Sequence, residues 1–389
     1  MHSRIDRVQV FLFERDREEA YLGDQGDGEF ALNDNHIVRR FNGTVYPTRD
    51  RSLVARLTDT DGAVGWGETY GLVAPKAVAA IIDDLLGPYL KTLAPDTPDK
   101  AWDALYELQR VRGYWGGYLG DALAALDIAL WDLHARSGGQ SLQAALGQDG
   151  AGTLAAYVSG LPPRTTAQRV EMAADWQARG FDAVKLPLSA TNNGDAPGEF
   201  AALRARLGDA HKIALDIHWT KTVAETLQLD RDLAPYDPWF LEAPTKPEDI
   251  AAQIEIGRGT AAAMALGEEW RTEWDYIPRA GACSIVQPEM GHTGVTQFMR
   301  IARRASAISS RIMPHATIGL GIFMSASLRA GLAAGAEYHE YQHTIYDRNA
   351  ALLDGAASVA AGAFQIPDTP GHGVTPNADG LAHLTEIKL

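Results

Sequence analysis

Cysteine is nearly missing from this chain, with one residue, Cys283, among 389. No internal disulfide can form, and a zinc site built on thiolates is excluded. Basic residues are also in short supply: 35 Lys and Arg stand against 50 Asp and Glu, for a formal charge of −15. Nucleic acid and anionic membranes both demand a basic face, so neither is an expected partner. Nothing approaches the ~20 apolar residues of a membrane span. The early apolar run in "RVQVFLFERD" is too short and too soon interrupted by charge for a signal peptide. A cytoplasmic protein acting on a small molecule is expected.

No glycine-rich phosphate loop follows the first strand of the region that repeats, which argues against a doubly wound nucleotide-binding sheet. That region begins near residue 154. Apolar runs such as "LAAYVSG", "AVKLPLS", "KIALDIHW", "WFLEAP", "AAMALGEEW", "CSIVQPEM", "RIMPHAT" and "AEYHEYQH" alternate with segments of helical character. "TTAQRVEMAADWQARG" carries apolar positions at helical spacing and stops at Gly180. Strands alternating with helices imply parallel β-α units, and eight of them imply a barrel of the TIM type with its chemistry at the strand C-termini.

The first ~130 residues read as an α+β layer. "SLVARLTDTDGAVGWGETYG" is a hairpin around a "TDTDG" turn, and "PKAVAAIIDDLLGPYL" and "GDALAALDIALWDLHARSGG" are helices. The expected organisation is a capping domain over 1–135, a barrel over 136–360, and a Pro- and Gly-rich tail over 361–389 that returns to the cap.

Acidic residues stand at the ends of the barrel strands. Asp216, Glu242 and Glu268 are spaced 26 residues apart, one β-α unit each. A single strand-end acid is ordinarily solvated or a helix cap. Three on adjacent strands converge, repel and raise one another's pKa unless a cation lies between them. All-oxygen ligation points to Mg²⁺, with Mn²⁺ the alternative. Glu289 ends strand six and His315 ends strand seven; a carboxylate beside a histidine fixes its tautomer and raises its basicity, as a general base requires. Strand eight offers Glu337 and Glu340. Asp216 is followed two residues later by His218, on the same side of an extended strand.

With these residues in place the chain resembles the enolase superfamily, in its mandelate-racemase-like branch, over nearly its whole length. "DGAVGWGET", "ALAALDIALWDLHARSGG" and the strand-end set carry the resemblance. It implies an α/β fold: a modified TIM barrel, (β/α)7β, with an N-terminal α+β capping domain completed by the C-terminal tail. It implies Asp216, Glu242 and Glu268 as Mg²⁺ ligands, His315 with Glu289 as the family's His–Asp dyad with Glu in place of Asp, and Glu340 as a substrate-binding acid. Even-numbered homo-oligomers are also implied.

Two departures bear on the reaction. The family's racemases carry Lys-x-Lys at strand two, whereas Lys185 is followed by Pro187, which cannot move a proton. Asp216-x-His218 resembles galactonate-type sugar acid dehydratases, in which this histidine protonates the departing hydroxyl. The expected activity is therefore Mg²⁺-dependent removal of an α-proton by His315 and β-elimination of water with His218 as acid. Lys185 is expected beside the carboxylate as an electrostatic partner. Rival readings are an epimerase or racemase, a cycloisomerase, a non-catalytic binder of metal and acid sugars, and a Schiff-base aldolase using Lys185. Substrate contacts from the cap are expected in the polar stretch 22–43, with His36, Arg39 and Arg40 as candidates. The stretch "GYWGGYLG" reads equally as an interface or as packing.

Overall fold

The computed structural model describes residues 4–17, 30–39, 41–162, 165–188, 195–316 and 319–388. The chain opens with six strands: β1 (Ile5–Asp16), β2 (Phe30–Asn33), β3 (His36–Arg39), β4 (Thr44–Pro47), β5 (Arg49–Asp59) and β6 (Val64–Tyr70). β1, β5 and β6 form an antiparallel sheet, and the tail segment Leu384–Glu386 pairs on the outer side of β1 against Phe11–Phe13. β2, β3 and β4 make a separate three-stranded ribbon. The helix Tyr118–Ser137 lies on β6 and is buried on nearly all sides, as its all-round apolar sequence requires. Contact is backbone-close: a Cβ at Gly67 would stand 2.0 Å from the Ala125 carbonyl oxygen. The glycines of "GWG" make that approach available.

Eight parallel strands follow: β7 (Gly152–Ser159), β8 (Ala183–Pro187), β9 (Lys212–Asp216), β10 (Leu241–Glu242), β11 (Met264–Leu266), β12 (Ile285–Val286), β13 (Arg311–Ile312) and β14 (His339–Gln342). β7 to β13 pair in sequence order, and β14 pairs with β7. Between β13 and β14, Glu337 N donates to Ile312 O (3.0 Å) and Glu340 N to Pro314 O (3.2 Å). Tyr157, Ala183, Ala214, Phe240, Ala265, Ile285, Met313 and Tyr338 form an apolar cluster, one residue from each of the eight strand segments. The α/β class and the parallel β-α rhythm expected from the sequence are present. Helices begin where capping chemistry dictates, with capping boxes at Thr165/Gln168 and Thr222/Glu225 and a side-chain cap from Asp249.

The tail divides its contacts. Ser358–Ala360 and Ala363–Ile366 form a hairpin that pairs antiparallel with the start of β7, while Leu384–Glu386 pairs with β1 of the cap sheet and His372 Nε2 lies 2.9 Å from Trp66 O of β6. Among the described residues, no helix is long and apolar enough to cross a membrane.

Candidate active site

Asp216 and Glu242 end β9 and β10 and are register partners in the ladder. Glu268 follows β11 after Gly267, whose φ of 131° turns the chain. Each carboxylate is held by a basic group. Glu242, fully buried, takes Lys185 Nζ on Oε1 (2.5 Å) and Gln287 Nε2 on Oε2 (2.6 Å). Asp216 accepts from the His218 backbone N (2.9 Å) and lies 2.8 Å from His218 Nε2. Glu268 Oε2 is 3.1 Å from His315 Nε2. Burial drives the pKa of Glu268 upward, and the neighbouring Asp216 and Glu242 charges add to it. Burial pushes the same way at Asp216, but the His218 and Lys185 charges hold it below the usual range.

β9 stops at Asp216, and the next residues do not continue it. His218 (φ 52°) and Trp219 (φ 56°) are both left-handed, as is Ala243 (φ 45°) after β10. Strand alternation therefore does not bring Asp216 and His218 together; a tight turn does, with Trp219 N bonded to Ala243 O (2.6 Å). Left-handed backbone at three non-glycine positions is strain concentrated at the mouth of the strands.

The His315–Glu289 pair is formed. Glu289 caps the helix Met290–Ser306, accepting from Gly291 N (2.8 Å) on Oε1, while Oε2 lies 2.8 Å from His315 Nδ1. That bond places a proton on Nδ1 and turns Nε2 toward Glu268. Burial would lower the His315 pKa, but Glu268, Glu340 and Glu289 outweigh it and push it up to about 10. Glu340 points inward: Oε1 is 3.0 Å from Lys185 Nζ, and Oε2 accepts from Ala316 N (3.2 Å) and Tyr157 OH (3.3 Å) and lies 3.7 Å from His315 Nε2. Glu337 points outward, 44% exposed, toward Arg311. Lys185 is 3% exposed between two carboxylates, which keep it protonated against the pull of burial. A Schiff-base lysine needs the opposite setting.

His36 has both ring nitrogens bonded inside the cap: its Nδ1 is 2.9 Å from Asn33 Oδ1 and its Nε2 is 2.8 Å from Leu72 O. Arg40 lies outside the described residues, as does 22–29 of the polar stretch. Arg39 stacks its guanidinium 4.9 Å over the Tyr46 ring, and Asn42 donates to the Tyr46 hydroxyl (2.9 Å). Burial raises the Tyr46 pKa, Asn42 and Arg39 oppose that, and the Asp216 and Glu268 charges add to it. Tyr46 thus sits within electrostatic reach of the strand-end carboxylates. Sequence reasoning missed it, and missed Gln287 and Tyr157. For Gln287 a signal existed: it stands two residues before Glu289 in "VQPEM".

Whether these residues suit a divalent cation can be asked of their charge. Five carboxylates (Asp216, Glu242, Glu268, Glu289, Glu340) meet three basic groups (Lys185, His218, His315), so two negative charges stay uncompensated even with both imidazoles protonated. One ligand atom each from Glu242, His315 and Glu340 lies within 4.8 Å of the others. Of the expected trio, Glu242 belongs to this set, while Asp216 and Glu268 lie against His218 (2.8 Å) and His315 (3.1 Å). A hard dication fits both the charge deficit and the oxygen donors.

The chain matches a family model described as mandelate racemase / muconate lactonizing enzyme, N-terminal domain, over residues 43–147, and one described as enolase C-terminal domain-like over residues 168–380. It is 31% identical to the D-galactarolactone cycloisomerase of Agrobacterium fabrum, covering 88% of this chain and 92% of that one. It is 28% identical to the D-galactonate dehydratase of Ralstonia pickettii, covering 85% and 90%. Among solved structures, an enolase superfamily member from Agrobacterium tumefaciens matches at 45% identity and a TM-score of 0.96 over all of both chains. A racemase from Streptomyces coelicolor with bound magnesium matches at 26% and 0.81, covering 97% and 98%. The two family models together with the strand-end carboxylates and the His315–Glu289 pair establish that the chain belongs to the enolase superfamily, in its mandelate racemase / muconate lactonizing enzyme branch.

Proposed function

We propose that this enzyme is an acid-sugar dehydratase: it removes the proton α to a carboxylate and eliminates water from the β-carbon, yielding a 2-keto-3-deoxy acid. The observation that carries the reading is the pair of imidazoles at the strand mouth, His218 after β9 and His315 after β13, each against a strand-end carboxylate. Elimination needs a base at the α-carbon and an acid at the leaving oxygen, and the two histidines provide them. The eight strands are taken as a closed (β/α)7β barrel over 136–360, with 1–135 and the tail as its cap.

Asp216, Glu242 and Glu268 would hold Mg²⁺, or Mn²⁺, which when bound supplies Lewis-acid stabilisation of charge developing on the substrate carboxylate. Gln287 and Lys185 fix both oxygens of Glu242. Glu289 holds the proton on His315 Nδ1, leaving Nε2 to accept the α-proton. With Glu268 committed to a cation, the strongest carboxylate pull on His315 is relieved, and the imidazole can act as a base nearer neutrality. His218, whose pKa Asp216 raises against the effect of burial, carries the proton for the departing hydroxyl. Lys185 is tied to Glu242 and Glu340 and moves no proton.

Product analysis tests this. Aldonic and aldaric acids with Mg²⁺ should give a semicarbazide-reactive keto acid with loss of one water, and His315→Asn should lose it. The cycloisomerase relative favours a second reading, isomerisation of a sugar lactone or anhydro-sugar acid. A product of unchanged mass would replace the first reading with the second.

A further inference from the structure

The helix that follows His315, Ile322–Ala333, has no side-chain cap of its own. Its N-cap is Gly321, at φ 119°. A helix start leaves four backbone N–H groups without intrahelical partners. Here a carboxylate from the cap takes three of them, and the Leu320 N–H just before. Glu68 on β6 accepts from Leu320 N on Oε1 (2.5 Å), and from Gly321 (3.1 Å), Ile322 (2.7 Å) and Phe323 (3.1 Å) on Oε2. The Ser52 hydroxyl also donates to Oε1 (2.5 Å), and both side chains are fully buried. The fit is close, since a Cβ at Gly319 would stand 2.5 Å from Glu68 Oε1. An anion at a helix N-terminus is the favourable sign of charge.

The adjacent residue works on the other half of the dyad. Thr69 donates its hydroxyl to Gly291 O (2.5 Å), in the turn that Glu289 begins. Two consecutive cap residues therefore hold the start of the helix after His315 and the turn that follows Glu289. Beside His315, Ala316 N is held by Glu340; at the helix start, Leu320 to Phe323 are held by Glu68. Asn349 bonds Gly319 O (2.8 Å) and reaches Asp50 of β5 (3.2 Å).

We propose that Glu68, assisted by Thr69, is a positioning residue for the reaction: from the cap, it sets His315 and Glu289 in register with the carboxylates of β9 to β11. This rests on reading His315 as the base. The carboxylate is needed because an amide in its place would turn a donor toward backbone donors whichever way it lay. The backbone at Leu320–Phe323 would have to shift, and misplacement by ~1 Å of a reacting group can cost about 10²-fold in rate.

The test compares full-length Glu68→Gln, Glu68→Asp and Thr69→Val with the wild type. Three quantities are read: kcat and KM on the sugar acid, Mg²⁺ affinity by calorimetry, and the His315 ring ¹⁵N resonances. Glu68→Gln should lower kcat roughly 10- to 100-fold with KM and Mg²⁺ affinity within about twofold of wild type. Glu68→Asp should recover part of the loss, Thr69→Val should show a smaller loss with the same split, and the His315 resonances should move in Glu68→Gln. Undiminished kcat in folded Glu68→Gln, or a lowered melting temperature as its sole effect, overturns the proposal. If Glu68→Gln does not fold, Thr69→Val decides by the same criteria. If wild-type protein turns over no acid, the dehydratase reading fails on its own, and the resonances still decide: moved, the positioning stands; unmoved, it falls.

Discussion

Asp127 offers a sharp check on how the cap helix and the strand layer are joined. The helix Met290–Ser306 is broken at Gly294 (φ 64°, ψ 179°), which leaves Thr296 N without a normal helical partner. Asp127, on Tyr118–Ser137 and 1% exposed, fills the gap: Oδ2 accepts from Thr296 N (2.7 Å) and Oδ1 from the Thr296 hydroxyl (2.6 Å). Burial outweighs those bonds and pushes its pKa up to about 7 from an ordinary 3.8. Between pH ~4 and ~7 the folded carboxyl keeps a proton that the unfolded chain has released. The folded state binds more protons there, so the stability this group contributes is full below the unfolded pKa and is lost as pH rises through the folded one. The loss is about 1.4 kcal/mol per unit and about 4 kcal/mol in all. Asp127→Asn is neutral throughout. Its unfolding free energy in urea, relative to wild type at the same pH, should be near parity or ~1 kcal/mol lower at pH 4. By pH 8 it should have gained about 4 kcal/mol on wild type. Taking the difference at each pH cancels the other titrating groups. A difference that stays flat from pH 4 to 8 would refute the reasoning and assign Asp127 an ordinary pKa.

Three further outcomes follow from the site. The His315 imidazole, read by NMR in chelator, should titrate near the elevated value of about 10; saturating Mg²⁺ should move it down, and an upward shift would mean that Glu268 is not engaged by the ion. Gln287→Met removes the donor on Glu242 Oε2 and should weaken Mg²⁺ binding roughly 10- to 100-fold by calorimetry; unchanged affinity would show that Glu242 is oriented without it. His218→Asn should keep α-proton exchange in D₂O while dehydration falls about 10²-fold or more; equal loss of both would remove His218 from the leaving-group role.

What could be read from the chain alone was what is local or periodic. Asp216, Glu242 and Glu268 recur at whole β-α units, so their placement at neighbouring strand ends followed from the strand rhythm even though β10 is only two residues long. Glu289 and His315 sit beside proline in "QPEM" and "MPHA", and their pairing followed from adjacent strands. Contacts set by register and docking were not legible. Tyr157 meets Glu340 because β14 pairs with β7 at that register. Tyr46 comes within electrostatic range of the Asp216 and Glu268 charges, and Glu68 bonds the start of the helix after His315, through the way the cap lies on the strands. The bonds of the His36 ring to Asn33 Oδ1 and Leu72 O were hidden too, since nothing in its neighbours' identities shows them. The left-handed turn at His218 was hidden as well: extended alternation and a tight turn both put His218 beside Asp216, and only backbone angles separate them.

The most direct measurement of α-proton chemistry at His315 is proton NMR of wild type and His315→Asn with sugar acids and Mg²⁺ in D₂O. Wild type should form a 2-keto-3-deoxy acid or exchange the α-proton. His315→Asn, still binding Mg²⁺, should do neither, a loss of roughly 10²- to 10⁴-fold. Turnover or exchange at the wild-type rate in His315→Asn would contradict the assignment of the base.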